Sequence, residues 1–293
     1  MKKKPIKHLI EAIFLYIFYY FFKIIGIDAA SAIGGFLGRN IGYRTSITNK
    51  ARKNLKLVMP ELSKTERENI LRKMWDNLGR TFAEFPHIPN LIGEKFEKRI
   101  IFTGDDNVKK AVAKGKGFIV FSGHFANWEI GPHSMYAKGY PLAMIYRRAN
   151  NKYSENLIQK TRKKTYEAMF PKGKKGAREL LRHLKNNGYA GMLIDQKMNE
   201  GISVPFFGKQ AMTAPATADF AKKFGTPLLP ANISRQKGKG AYFQVDILPE
   251  LNIEGKKREE IMTEINAMFE SWIRKEPEKW LWLHKRWKNE DYT

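Results

Sequence analysis

Residues 117–129 read GFIVFSGHFANWE. Four residues of high β-propensity end at a Ser-Gly pair, and a polar turn then leads into an amphipathic stretch. This is a strand handing over to a helix. The same texture recurs after about residue 99, where short apolar runs alternate with helical stretches. The strand candidates are RIIFT (99–103), PLAMIY (141–146), YAGMLID (189–195), PLLPANIS (227–234) and YFQVDIL (242–248). Helical patterns fall near 105–114, 126–137, 152–168, 176–187 and 214–224. Alternation of this kind predicts an α/β fold, a central sheet covered by helices. The last two strands flank RQKGKG (235–240) and read as a hairpin, which makes the sheet mixed. Two helices, near 256–275 and 277–288, are expected to close the chain.

Residues 27–85 carry a helical pattern. SKTE (63–66) is a capping box, and Ile70, Leu71, Trp75, Leu78 and Phe82 recur at helical spacing until Pro86. Ahead of them, LIEAIFLYIFYYFFKIIGI (9–27) follows the lysine-rich MKKKPIKH. Its length approaches the ~20 residues of a membrane span, but Glu11 and Lys23 interrupt it. The division expected is a hydrophobic membrane helix over 1–26 and a single domain over 27–293. The preceding lysines place that end on the cytoplasmic side. A helix lying in the cytoplasmic face of the membrane avoids moving the domain across and tolerates Glu11. Spanning and lying both stand at this stage.

The 293 residues hold 53 Lys and Arg against 29 Asp and Glu, a net charge of +24. Such an excess attracts phosphates on lipids or nucleic acid, or an acidic protein. The absence of cysteine removes disulfides, thiolate metal sites and a cysteine nucleophile. No P-loop, dinucleotide fingerprint or zinc spacing is present, so neither cofactor nor metal is expected.

His124 sits at the carboxyl end of its strand, the edge where open α/β sheets place their sites. Five positions along one continuous helix would leave His124 and Glu129 about 140° apart. They meet only if His124 lies in the turn and Glu129 in the first helical turn. In that geometry the imidazole takes a proton from an attacking alcohol, and the carboxylate fixes its tautomer and stabilises the imidazolium. The helix N-terminus would hold the histidine pKa down. The structural alternative is a turn-capping histidine and a glutamate on the helix dipole.

HFANWE, with YRRANN (146–151), IDQ (194–196), PFFGKQAMT (205–213) and PEKWLWLHKRWK (277–288), resembles the lipid A biosynthesis acyltransferases of the lysophospholipid acyltransferase superfamily. The order and spacing match over about 110–290. The resemblance implies a glycerolipid acyltransferase-like fold and transfer of a fatty acyl chain to a hydroxyl of a glucosamine-based lipid A precursor. His124 and Glu129 match the catalytic positions. Arg148 departs from the pattern, because the family usually has proline there.

The implied donor is an acyl thioester, on acyl carrier protein or coenzyme A, and the acceptor a phosphorylated glycolipid at the inner membrane's cytoplasmic face. Arg147, at the end of PLAMIY, is a candidate phosphate ligand. Asn150 is a candidate for an Asx turn near the substrate. Arg162, in QKTRKK, stands where the family carries an arginine beside the catalytic pair, and with Arg147 it is expected to bind phosphate or sugar oxygens of the substrate. Asp195 closes its strand at the same sheet edge, where it would bond a sugar hydroxyl, orient an arginine or cap a loop. Thr213 reads as a helix N-cap. Phe206 and Phe207 suit an acyl channel or core packing, and the tryptophans of 277–288 suit a membrane interface or a packed amphipathic helix. The rivals are an acyltransferase on glycerol or mannosylated lipids using acyl-CoA, and a non-catalytic basic protein binding membranes or nucleic acid. Nucleic acid is not the expected partner.

Overall fold

The computed structural model describes residues 4–236, 238 and 240–292. It begins with four helices, α1 (Lys4–Ile24), α2 (Ile27–Asn40), α3 (Thr48–Val58) and α4 (Lys64–Glu84), then α5 (Glu94–Arg99). β1 (Ile100–Thr103), α6 (Asp105–Ala113), β2 (Phe118–Ser122), α7 (Ile130–Ala137), β3 (Ala143–Tyr146) and α8 (Lys152–Arg162) follow. Next come β4 (Ala168–Pro171), α9 (Lys174–Lys185), β5 (Tyr189–Leu193), β6 (Lys197–Phe206) and β7 (Lys209–Thr213). The order ends with α10 (Ala216–Phe224), β8 (Leu228–Arg235), β9 (Phe243–Ile247) and α11 (Arg258–Lys275).

A seven-stranded sheet in the order β1-β9-β8-β2-β5-β3-β4 forms the centre. Only the β8–β9 pair is antiparallel among these strands, so the sheet is mixed, with the expected hairpin. Lys237 and Lys239 of its turn lie outside the described residues. β2 is buried along its whole length. Its alternation feeds two cores: Ile119 and Phe121 pack with α9, α10, α11 and the C-terminal segment, while Phe118 and Val120 pack with α5, α6 and α7.

The capping box is present. The Ser63 hydroxyl accepts from the Glu66 amide at 3.2 Å, and the Glu66 carboxylate accepts from the Ser63 amide at 2.7 Å. α2 lies backbone to backbone against α4. A Cβ on Gly38 would sit 2.0 Å from the Trp75 carbonyl oxygen, and one on Gly79 would sit 2.0 Å from that of Gly34. Only glycine permits this approach, which draws α2 onto the body of the protein and leaves Ile33 and Phe36 exposed.

Three expectations are corrected. The helical stretch over 152–168 ends at Arg162, and residues 168–171 form β4 on the sheet edge. A hairpin, β6–β7, follows β5; its Pro205, Gly201 and polar residues obscure the strand pattern. Its two-residue turn has Phe207 and Gly208 both at positive φ, as the right-handed twist of the strands demands. Phe206 and Phe207 pack against Trp287 in the core. Thr213 ends β7, and Pro215 precedes α10.

The closing segment is not a helix over 277–288. A single 3-10 turn at Pro277–Lys279 gives way to an irregular strap. Trp280, Trp282 and Trp287 are buried, and each indole N–H donates to a protein acceptor. The strap therefore lies within the core rather than at a membrane interface. Its backbone hydrogen bonds go to the loop after β2: Leu281 N donates to His124 O at 3.1 Å, and Ala126 N donates to Lys279 O at 2.8 Å. That pairing satisfies the polar groups a helix would otherwise have satisfied.

Candidate active site

The loop from Gly123 to Glu129 is gripped by two elements, the strap and α4. The strap pairs with it as a β-bridge between Phe125 and Trp280. From α4, Asn77 and Thr81 donate to the Ala126 carbonyl at 3.0 and 3.2 Å, holding Ala126 at φ +46°. At the end of α4, the fully buried Glu84 accepts from Asn127 at 2.8 Å and from both Arg235 amino nitrogens. Gly123 is required by contact with the site itself: a Cβ there would meet the Phe125 ring at 2.6 Å and the Asp195 side chain at 3.0 Å.

His124 and Glu129 are not partners. The His124 Nδ1 lies 2.8 Å from Asp195 Oδ1. The Asp195 Oδ2 accepts from the His124 amide at 2.9 Å and from Trp280 Nε1 at 2.8 Å. The carboxylate, only 2% exposed, is thus fully bonded within the protein. Asp195 takes the orienting position that the spacing suggested for Glu129. Since a carboxylate only accepts, the neutral imidazole carries its proton on Nδ1 and leaves Nε2 bare. The Gln196 amide nitrogen stands 3.5 Å from that Nε2, and the Trp128 ring meets the imidazole edge-on at 5.2 Å between centroids.

Glu129 is the residue before α7, and it belongs to a second cluster. Arg162 grips its carboxylate with two nitrogens, Nε at 3.1 Å and NH2, while the Tyr166 hydroxyl donates at 2.7 Å. Arg162 and Tyr166 are four residues apart, so the turn that ends α8 presents both to one carboxylate.

The electrostatics follow from these partners. Burial, the largest influence on His124, pulls its pKa down. The Asp195 charge and hydrogen bond outweigh burial, with help from Glu129, and the imidazole ends above its ordinary 6.5. The expected depression by the helix N-terminus is overruled, because α7 begins six residues later and a carboxylate touches the ring. Burial likewise pushes Asp195 upward, but His124 and Trp280 bring it down to about 2. For Glu129 burial is again the largest influence; Arg162 and Tyr166 overcome it and keep the group ionised.

Arg147 and Asn150 lie exposed beyond β3. The Asx bond expected of Asn150 is made by its neighbour: Asn151 accepts from the Tyr153 amide at 3.0 Å and caps α8. Arg162 is committed to Glu129, which removes it from the phosphate ligands. Asn77, Glu84, Gln196, Arg235, Trp280 and Tyr166 shape the site without having been singled out in the sequence. Tyr166, at helical spacing from Arg162, and the W-x-W alternation of 280–282 were the available signals.

A cavity of about 480 Å³ opens beside the second cluster. Its floor is Glu129, Arg162 and Trp128; its walls are Phe14, Phe18, Phe82 and Ile158, among other chiefly apolar side chains of α1, α4 and α8. α1 is held there by hydrogen bonds, Tyr19 Oη to Thr161 Oγ1 at 2.9 Å and Asn151 Nδ2 to His8 O at 2.7 Å. Its outer face stays exposed, with Ile17 at 61% and Ile24 at 82%. No described helix is long and apolar enough to cross a membrane.

The sequence profile of the bacterial lipid A biosynthesis acyltransferases matches residues 1–289. A lipid A biosynthesis palmitoleoyltransferase of Escherichia coli is 28% identical over 264 residues, covering 86% of this chain and 84% of the relative. A lipid A biosynthesis lauroyltransferase of the same organism is 24% identical, covering 80% and 77%. Among solved structures, a 1-acyl-sn-glycerophosphate acyltransferase from Thermotoga maritima aligns over 94% of this chain and 99% of its own. The TM-score of that alignment is 0.43 and the identity 15%.

Proposed function

Because the chain belongs to the bacterial lipid A biosynthesis acyltransferase family, we propose that it moves a fatty acyl chain from an acyl thioester to a hydroxyl of a glucosamine-based lipid A precursor, with His124 as the general base. That it is an acyltransferase follows from the family. The observation that carries the mechanism is the Asp195–His124 pair, which leaves a bare Nε2 at the carboxyl edge of the sheet.

The acceptor hydroxyl displaces Gln196 from Nε2 and gives up its proton as its oxygen attacks the thioester carbonyl. The imidazolium formed is stabilised by Asp195, whose own bonds to Trp280 and the His124 amide keep it from rotating. Collapse of the tetrahedral intermediate expels the thiolate, which takes the proton back from His124. No protein nucleophile is needed. Glu129 does not carry the proton. Locked by Arg162 and Tyr166, it fixes the start of α7 and forms, with Trp128, the floor on which the acyl chain would rest. The apolar cavity supports an aliphatic occupant, since burying it there removes about 0.8 kcal/mol of hydrophobic cost per CH₂.

One wall of that cavity is α1, whose exposed apolar face supports a helix lying in the cytoplasmic surface of the inner membrane. The acyl cavity would then open at the bilayer. The donor is an acyl carrier protein, whose acidic surface suits the +24 charge. Arg147, exposed beyond β3, would be the group that meets an acceptor phosphate.

Purified enzyme given acyl carrier protein or coenzyme A thioesters, with either a phosphorylated glucosamine lipid or a lysoglycerophospholipid, tests this reading. Acylation of the glucosamine lipid is expected. His124→Ala should lower turnover by about 10²–10⁴-fold with the fold retained. Acylation of the glycerolipid alone would contradict the acceptor assignment.

A further inference from the structure

A second, smaller cavity of about 60 Å³ lies where the carboxyl ends of α1 and α8 meet the Pro86–Asn90 turn. Three lysines line it: Lys23 from α1, Lys160 from α8 and Lys164 from the turn after α8. None of the three makes an ion pair with a described carboxylate. The other lining groups include Tyr19, Tyr20 and Asn90, and no acid is among them. The two helix ends contribute about −0.5 charge each, so roughly two of the three positive charges remain unbalanced.

The surroundings narrow the ligand. Lys23 stands over the ring of Tyr20, which is half-exposed at the edge of the α1 face that carries Ile13, Ile17 and Ile24. A cation cluster on the border of an apolar, unpartnered helix face meets an anion that is itself attached to apolar matter. The cavity suits one tetrahedral oxyanion better than a sugar ring or a chain. Tyr19 and Leu157 form walls of both this cavity and the acyl cavity, which keeps the two separate.

We propose that Lys23, Lys160 and Lys164 bind the phosphate of an anionic membrane lipid at the bilayer surface, distinct from the reaction centre and from the acyl cavity. The site rests on the reading of α1 as an interfacial helix. It would set the rotation of α1 about its axis, turning Phe14 and Phe18 toward the acyl cavity, because a phosphate at the end of the helix anchors it beside α8.

The test is vesicle binding by the whole protein. The probes are vesicles of phosphatidylcholine alone, vesicles of phosphatidylcholine mixed with phosphatidylglycerol, and inorganic phosphate. The triple variant Lys23→Gln, Lys160→Gln, Lys164→Gln is compared with the charge-matched Lys50→Gln, Lys53→Gln, Lys56→Gln on α3. The first should lose about a hundredfold in affinity for the mixed vesicles and nothing for phosphatidylcholine, while the second loses clearly less. Equal losses in the two triples would show a diffuse charge effect and overturn the site. Saturable binding of inorganic phosphate with no preference for the mixed vesicles would overturn the lipid as its source. A raised KM for detergent-dispersed acceptor in the first triple would also overturn the proposal, since the lysines would then hold the substrate. Wild-type protein that fails to bind phosphatidylcholine vesicles would instead overturn the interfacial placement of α1, an outcome separate from the loss of anion preference.

Discussion

The loop carrying His124 has two flanks that solve opposite problems. On one side, Asp195, Trp280 and the strap form a dry, interlocked wall in which every polar atom of the carboxylate has a partner. On the other, Glu129, Arg162 and Tyr166 form the polar floor of an apolar cavity walled by a helix with an exposed face. The first flank fixes one imidazole in one tautomer. The second holds a charge pair rigid where the proposed acyl chain would enter. Two carboxylates near one histidine thus do different work, and hydrogen bonding rather than spacing in the sequence tells them apart.

If that division is right, substitutions on the two flanks should differ in kind. Asp195→Asn should cost the most, about 10³-fold in kcat, with little change in KM, as measured by steady-state acyl transfer. A loss confined to KM would place Asp195 in substrate binding. Arg162→Met leaves the Glu129 carboxylate without its cation in a largely buried setting. It should lower stability by about 3 kcal/mol in urea unfolding; an unchanged midpoint would mean the pair is open to water. Trp280→Phe retains the packing but removes one donor to Asp195. The expected cost is about 1 kcal/mol with a loss of activity below tenfold, and a larger loss than that of Asp195→Asn would invert the account.

The strands and the site edge were legible because their signals are local. GFIVFSG is apolar up to Ser122 and ends at a glycine, so both the central strand and the position of His124 follow from the pattern. The β8–β9 pairing follows from two strands flanking a short turn. The strap was misread because its lysines and tryptophans imitate an amphipathic helix. What decides its form is long-range: the strap's backbone bonds to residues 124–126, more than 150 positions earlier, and its indoles find acceptors in Asp195, Pro277 and Phe206. β6 was hidden by Gly201 and Pro205. The exchange of partners at His124 was hidden for the same reason as the strap. Asp195 reaches the ring through the parallel pairing of β2 with β5, in which Ser122 lies beside Leu193, and no short window of sequence contains both strands.

The most direct test of the central claim is nitrogen NMR of the His124 ring across pH, in the wild type, Asp195→Asn and Glu129→Gln. Asp195 favours the imidazolium, so the pKa should lie above 6.5 in the wild type. Below that pKa the ring is protonated and idle as a base; above it, the proton should remain on Nδ1. Removing the Asp195 charge should lower the pKa and move the acid limb of the rate profile to lower pH, with a smaller shift for Glu129→Gln. A proton found on Nε2, or a larger shift in Glu129→Gln than in Asp195→Asn, would contradict the account.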